Sequence, residues 1–363
     1  MKWSIRIGSP FGIPLRVHLT FFLLLAWYGA LIWREEPSAG AVVRGLAFIL
    51  TLFLCVVLHE LGHALVARRY GIPTRDITLL PIGGVARLER MPDDPRQELW
   101  VALAGPAVNV VIAGAIFLLS RITATLPSVE AMSLTGGSFL ARVMWVNIFL
   151  VLFNLLPAFP MDGGRVLRAL LATRMEYPRA TRLAATIGQS MAFLFGFAGL
   201  FTNPMLILIG LFVWIGAAQE AGMVQMKYSL SGIPVSRAIV TEFRTLAPTD
   251  TLADAIELTL AGTQRDFPVV ENGTLVGLLQ QRDMLAALAR GGTDVPVAAV
   301  MQRDFEVVQA SDMVEAAFRR LGVSRSTSAP VLSQGRLVGM VTMDNIGELL
   351  AIQGALDRTH RAG

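Results

Sequence analysis

Gly45–His63 reads GLAFILTLFLCVVLHELGH, and this stretch decides the rest of the reading. Between Gly45 and Leu58 the only polar side chain is Thr51. Two imidazoles and a carboxylate (His59, Glu60 and His63) then follow with no break in the apolar run. Ionisable groups inside a membrane span are costly and are functional by default. Residues i and i+4 of a helix share a face, so His59 and His63 can grip one zinc ion while Glu60 stands beside it. The chain has only 4 histidines, so the pair is not a by-product of a histidine-rich composition. Two histidines satisfied by carbonyls within a helix bundle would leave Glu60 without a purpose.

The composition around this stretch is that of a membrane protein. Of 363 residues, 54% are hydrophobic and 16% charged, too apolar for an ordinary soluble chain. The apolar residues crowd into the first 220 or so positions. They mark about six spans of roughly membrane-crossing length, near 15–33, 44–67, 99–120, 139–157, 185–201 and 204–219. The last two meet at Asn203-Pro204, a helical hairpin turn. The expected fold class is therefore an α-helical polytopic membrane domain with a re-entrant β-hairpin, followed by a soluble α/β tandem.

Lys and Arg are unevenly distributed between the two sides. Lys2, Arg6, Arg16, Arg68, Arg69, Arg75, Arg87, Arg90, Arg96 and the Arg165–Arg182 cluster fall on the side of the N-terminus, against Arg34, Arg44, Arg121 and Arg142 opposite. By the positive-inside rule both termini are cytoplasmic, in a multi-pass protein of the plasma or inner membrane. The bias accounts for the net charge of +4 without a nucleic-acid partner. The N-terminal apolar stretch starts late and lacks a small-residue cleavage site, so it reads as the first span and not a signal peptide. Cys55, the sole cysteine, lies in the second span and offers no disulfide framework. His59 and His63 precede Arg68 closely enough to lie about 8–14 Å inside the cytoplasmic boundary.

A catalytic zinc site has three protein ligands and one open position. Asp76, Glu89, Asp93, Asp94, Glu98, Asp162 and Glu176 all lie on the appropriate side. Asp162 stands apart, because it ends the run FNLLPAFPMDGGR. Pro157 and Pro160 forbid regular helix there, and Gly163-Gly164 allow close backbone approach. Irregular backbone at membrane depth is tolerated where it lines a cavity. A plainer role for Asp162 is to cap the helix that starts at Gly163. Asn154, one turn before Pro157, adds an amide to the same neighbourhood.

With this second motif the chain resembles the site-2 proteases, intramembrane zinc metalloproteases that pair HExxH with N-x-x-P-x-x-x-x-D-G. That pattern stands here as Asn154-Leu155-Leu156-Pro157 followed by Asp162-Gly163, and the resemblance covers about residues 1–220. It implies one zinc per chain on His59, His63 and Asp162, Glu60 as general base, and Asn154 holding the substrate backbone or its oxyanion. The implied activity is regulated intramembrane proteolysis of membrane-anchored proteins. Two other readings stand beside it: a heat-shock-type membrane zincin with a downstream Glu as third ligand, and an ion transporter, gated by the C-terminal tail, whose intramembrane ligands pass a metal.

Ile77–Leu88 (ITLLPIGGVARL) is too broken for a span and too apolar for a free loop. It reads as a β-hairpin turning at Gly83-Gly84 and dipping into the membrane; its edge, with Gly83 and Gly84, can bind substrate by strand addition. Ala104-Gly105-Pro106-Ala107-Val108-Asn109 matches a further family pattern and reads as structural support, its small residues permitting close helix contact. His18 and Asn147, lone polar residues on apolar spans, also read as structural.

After Tyr228 the chain repeats itself with a shift of 62 residues: Phe243 falls on Phe305, Asp250 on Asp312, Pro268 on Pro330, and Leu275-Val276-Gly277 on Leu337-Val338-Gly339. Each unit offers an Asp-started helix, two strands and a final helix. The tail resembles a tandem pair of cystathionine-β-synthase-type (CBS) modules, a family that often binds adenine nucleotides. Its Gly-h-h-Thr/Ser-x-x-Asp signature is halved in each unit: Asp283 keeps the acid in the first, Thr342 the hydroxyl in the second. The expected organisation is a protease domain at 1–220, a linker at 221–230, CBS modules at 231–290 and 291–352, and a tail at 353–363. A homodimer through the modules is a further expectation.

Overall fold

The structure is a computed structural model that describes residues 3–81, 83–89, 92, 94–122, 138–324 and 326–362. The chain divides into two compact units, Met1–Gly222 and Met223–Gly363.

The first unit opens with a strand where the sequence suggested the approach to a span. β1 (Ser4–Gly8) and β2 (Leu15–His18) pair antiparallel. β2 runs parallel to β3 (Thr74–Leu80), which forms the expected hairpin with β4 (Gly83–Leu88). The sheet order is β1-β2-β3-β4. Two expectations are corrected here. The hairpin belongs to a larger sheet, and Gly83 and Gly84 open β4, pairing with Leu80 and Leu79, instead of forming the turn. The first span likewise cannot start at residue 15, because Leu15–His18 is strand. His18 then caps helix α1 (Leu19–Glu35), its Nδ1 lying 2.8 Å from Thr20 Oγ1.

α2 (Ala39–Arg69) carries the histidine pair. Phe53, Val57, Leu61 and Ala64 on one of its faces bury against Val17, Ile77 and Leu79 of the sheet. α3 (Pro95–Ile122), α4 (Phe139–Asn154), α5 (Asp162–Ala172), α6 (Tyr177–Phe201) and α7 (Met205–Leu230) follow. Asn203 Oδ1 accepts from Met205 N–H (2.9 Å) between α6 and α7, the expected hairpin turn. Among the described residues 4 helices (α2, α3, α6 and α7) are long and apolar enough to cross a membrane. α1 and α4, with 17 and 16 residues, are shorter than the about 20 a perpendicular crossing needs. Val111, Leu118, Phe149, Leu152, Phe193 and Leu200 are all exposed, as suits helices whose surrounding medium is lipid. The stretch read as a linker, 221–230, is helical and completes α7.

α3, α5 and α7 are tied by a buried ion cluster. Arg168, fully buried, donates through Nε to Glu98 Oε1 (2.8 Å) and through Nη1 to Glu220 Oε1 (2.6 Å). Its guanidinium also lies 5.0 Å from the ring centres of Phe159 and Tyr177.

The second unit carries its repeat into three dimensions. After α8 (Leu252–Ala261), β5 (Phe267–Glu271) and β6 (Thr274–Leu279) form a hairpin leading to α9 (Gln281–Gly291). In the second half α10 (Val314–Ser324), β8 (Ser328–Ser333), β9 (Arg336–Thr342) and α11 (Met343–Ala362) follow the same order, with a short strand β7 (Val308–Gln309) added ahead of them and paired with β8. The hairpin turns Asn272-Gly273 and Gln334-Gly335 have positive φ at both residues, the backbone that a two-residue hairpin demands. Leu252, Ala255, Val269, Leu279 and Met284 fill one core; Val314, Ala317, Val331, Val341 and Ile346, each 62 positions on, fill the other. The first helix starts one residue later than its Asp suggested. Thr251 is the cap, in a capping box with Asp254, and Asp250 accepts from Ala247 N–H (2.7 Å).

Removing one partner from a buried ion cluster leaves uncompensated charge and costs about 3–5 kcal/mol. Arg168→Ala is therefore expected to lower the unfolding temperature of the detergent-solubilised protein sharply. An unchanged unfolding midpoint would show that Glu98 and Glu220 do not depend on that cation.

Candidate metal centre

α2 presents His59 and His63 one turn apart, and both are buried. Their Nε2 atoms lie 3.1 Å from each other. Asp162 Oδ2 lies 3.1 Å from each of them. Asp162 is the first residue of α5, and Met161 holds the cap position, so the carboxylate turns to the histidines and not to its own helix end. The backbone before it folds back tightly: a Cβ on Gly163 would stand 2.2 Å from the Leu156 carbonyl oxygen, so only glycine fits.

Among the described residues this trio is the group that can hold a metal ion. A tetrahedral centre with bonds of about 2.0–2.1 Å sets its ligands about 3.3–3.4 Å apart, and all three pairs here stand at 3.1 Å. His63 Nδ1 meets the Val101 carbonyl at 2.7 Å and His59 Nδ1 meets Asn109 Oδ1 at 2.5 Å. Both Nδ1 atoms therefore carry the ring proton, and both Nε2 lone pairs face the carboxylate. Three electron-rich atoms aimed at one point repel one another unless a cation joins them. The donor set fits zinc. Gly105 of α3 makes room for it, since a Cβ there would stand 2.2 Å from His63 Nε2 and 2.6 Å from His59 Nε2.

Glu60 projects towards the sheet. Its Oε2 accepts from Ala86 N–H of β4 at 3.1 Å, and a Cβ on Gly84 would stand 3.0 Å from its Cγ. The hairpin thus brings Gly84 against the carboxylate that neighbours the two histidines. Asn154, half-buried at the end of α4, has no side-chain hydrogen-bond partner among the described residues.

The other acidic candidates are engaged elsewhere. Arg87 is hydrogen-bonded to Asp76 (Nε to Oδ1, 2.7 Å) and holds that carboxyl below the usual range despite its burial. Glu89 faces Arg75 (3.7 Å), Glu176 faces Arg179 (3.6 Å), and Asp94 accepts from Arg96 N–H (2.8 Å). Glu98 belongs to the Arg168 cluster. Asp93 lies outside the described residues.

Five contributors to this geometry were not legible as part of it. Gly105 read as helix packing, and Asn109 and Asn147 as structural support. Their signal was an amide in an apolar span. The Val101 carbonyl and Ala86 N–H are backbone groups, which no residue pattern advertises.

In the second unit Thr342 lines a cleft of about 600 Å³ together with Asp266, Gln280, Ser328 and Asn345. Thr342 Oγ1 donates to Asn345 Oδ1 (2.6 Å). Asp266 accepts from Ser328 Oγ (2.6 Å), Thr327 Oγ1 (2.9 Å) and Gln281 N–H (2.9 Å). Asp283 is not among the residues lining that cleft; its carboxylate accepts from Gln302 Nε2 at 2.7 Å.

The model of Peptidase family M50 matches residues 47–133 and 121–196, and that of the CBS domain residues 225–290 and 297–351. Zinc metalloprotease MJ0392 of Methanocaldococcus jannaschii is 37% identical over 280 residues, 77% of this chain and 78% of that protein. The chain belongs to peptidase family M50, the site-2 proteases. Membership makes it a membrane metalloprotease of the zinc-dependent class, here joined to a CBS pair. Rip3 of Mycobacterium tuberculosis is 27% identical over 97% of the chain and 94% of its own length. The solved site-2 protease of Methanocaldococcus jannaschii covers 60% of the chain and 95% of itself at 39% identity, with a TM-score of 0.44. The segments matched by the M50 model hold His59, Glu60, His63, Asn109, Asn147, Asn154 and Asp162.

Gly105→Ala is expected to push the imidazoles apart and to bring the metal content of the purified peptidase close to zero while its helical content stays normal. Elemental analysis beside circular dichroism checks this; full metal occupancy would show that the histidines can move aside.

Proposed function

We propose that this chain cuts membrane-anchored proteins within or beside their transmembrane segments, with one zinc held by His59, His63 and Asp162. The observation that carries the reading is the convergence of two Nε2 atoms and one carboxylate oxygen at 3.1 Å beside Glu60, on a helix otherwise apolar. When bound there, zinc polarises a scissile carbonyl and acidifies water. Glu60 takes the proton of the attacking water on its carboxylate and passes it to the leaving amine. Asn154 offers its amide to the substrate backbone or its oxyanion.

A helical substrate hides its carbonyls in backbone hydrogen bonds, so the scissile segment must unwind first. β4 is the last strand of its sheet and opens with Gly83 and Gly84 beside Glu60. An extended substrate segment adding along that edge recovers the bonds lost on unwinding. The Lys and Arg bias supports cytoplasmic termini, and α1 and α4 complete about six spans with the four long helices. The CBS modules at 231–290 and 291–352 serve as a cytoplasmic regulatory pair, taking an adenine nucleotide and joining two copies of the chain. Thr342 contacts a phosphate or sugar of the nucleotide in the cleft described above, and Asp283 contacts ribose in the first module.

Glu60→Gln is expected to keep zinc and to lose cleavage by at least the 10²–10⁴-fold typical of a missing general base. Near-normal cleavage of a reconstituted membrane substrate by this variant would remove Glu60 from the mechanism. For the modules, ATP, ADP or AMP is expected to raise the unfolding temperature of the full chain, with the effect weakened by Thr342→Ala. No thermal shift and no heat of binding with any of the three at millimolar concentration would leave the pair as a docking module.

A further inference from the structure

The two histidines are oriented by unequal means. His63 Nδ1 faces a main-chain carbonyl, that of Val101, which can only accept. His59 Nδ1 faces the side-chain amide of Asn109, which could present either its oxygen or its amino group. Nothing at Asn109 alone decides which. The decision is made one residue further out. Asn109 Nδ2 donates to Asn147 Oδ1 (2.7 Å), and Asn147 Nδ2 donates to the Val143 carbonyl (2.8 Å). Both amides are wholly buried, so neither can turn to water instead.

Read from the far end, the chain has one polarity. The Val143 carbonyl has no proton to give, so the Asn147 amino group must face it. The Asn147 oxygen then faces Asn109 and draws the Asn109 amino group, which leaves the Asn109 oxygen for His59. An oxygen there requires the proton on His59 Nδ1 and leaves the lone pair on Nε2, beside His63 and Asp162. We infer that Asn147 is a positioning residue of the metal centre, fixing the ring proton of His59 through Asn109 although it stands two hydrogen bonds away from that ring. The inference rests on the reading of His59, His63 and Asp162 as metal ligands. With the relay cut, the Asn109 amide can flip, donate to Nδ1 and leave the proton on Nε2, a form of His59 that cannot ligate.

Outer partners of metal ligands are typically worth 10–100-fold in metal affinity. The test is zinc affinity of the full-length protein in detergent, by competition with a chelating dye, for Asn109→Leu, Asn147→Leu and the double variant. Each single variant is expected to bind zinc about 10–100-fold more weakly. The double variant is expected to match Asn109→Leu alone, because Asn147 acts through Asn109; two independent packing effects would instead multiply. Asn147→Ala cuts the same relay without the larger side chain and stands in if the leucine variant does not fold. Wild-type affinity in a folded Asn147 variant, or multiplied losses in the double variant, overturns the relay alone. A wild-type chain that binds no zinc overturns the ligand reading and the relay with it.

Discussion

Two imidazole nitrogens and a carboxylate oxygen held 3.1 Å apart, in a protein whose surroundings are hydrocarbon, are the constraint around which the first unit is organised. Water would relax such a cluster by letting its members separate. Here the helices do not permit it. α2 holds the histidines on one face, Gly105 of α3 lets them approach, and the tight backbone ahead of Gly163 delivers Asp162 as α5 begins. Irregular backbone at such depth is tolerated only where it is buried in protein or lines a cavity. That is why the proline-broken stretch and the carboxylate of Asp162 occur together.

The same medium explains how the remaining polar groups are arranged. A buried amide or charge without a partner is expensive, and Asn109, Asn147, Arg168 and Glu60 each have a specific partner. Asn109 and Asn147 form a directed chain that ends on a carbonyl. Arg168 pairs with both Glu98 and Glu220 and so joins three helices. Glu60 rests on the N–H of an edge strand, so the sheet and α2 are held by the same carboxylate. The sheet therefore does more than offer an edge. It is part of the frame that positions Glu60.

The second unit obeys a different logic. Its cores are ordinary, and corresponding positions 62 residues apart fill both of them. Repetition carries over to the turns, where Asn272-Gly273 and Gln334-Gly335 share one backbone conformation. It does not carry over to the polar groups. Asp266, held by Ser328 and Thr327 from the other half, gives the cleft an asymmetry that the internal repeat does not predict.

Periodicity and spacing by themselves determined the apolar helices, the pairing of His59 with His63 and the repeat of the tail. Each is a local regularity, visible because helices and hairpins impose fixed periods on the residues that build them. The Asn-Pro and Asp-Gly motif singled out Asp162 for the same local reason, through prolines and glycines that break a helix. Tertiary structure alone decided the rest. Strands β1 and β2 exist because β3 lies alongside β2 to pair with it, and neither is long or periodic enough to declare itself. Gly105, the Val101 carbonyl and the Ala86 N–H act on side chains tens of residues away in the chain, through distances and not through residue types. The proton on His59 depends on an amide two hydrogen bonds away, because the direction of a hydrogen-bond chain is set at its far end, by a carbonyl that can only accept.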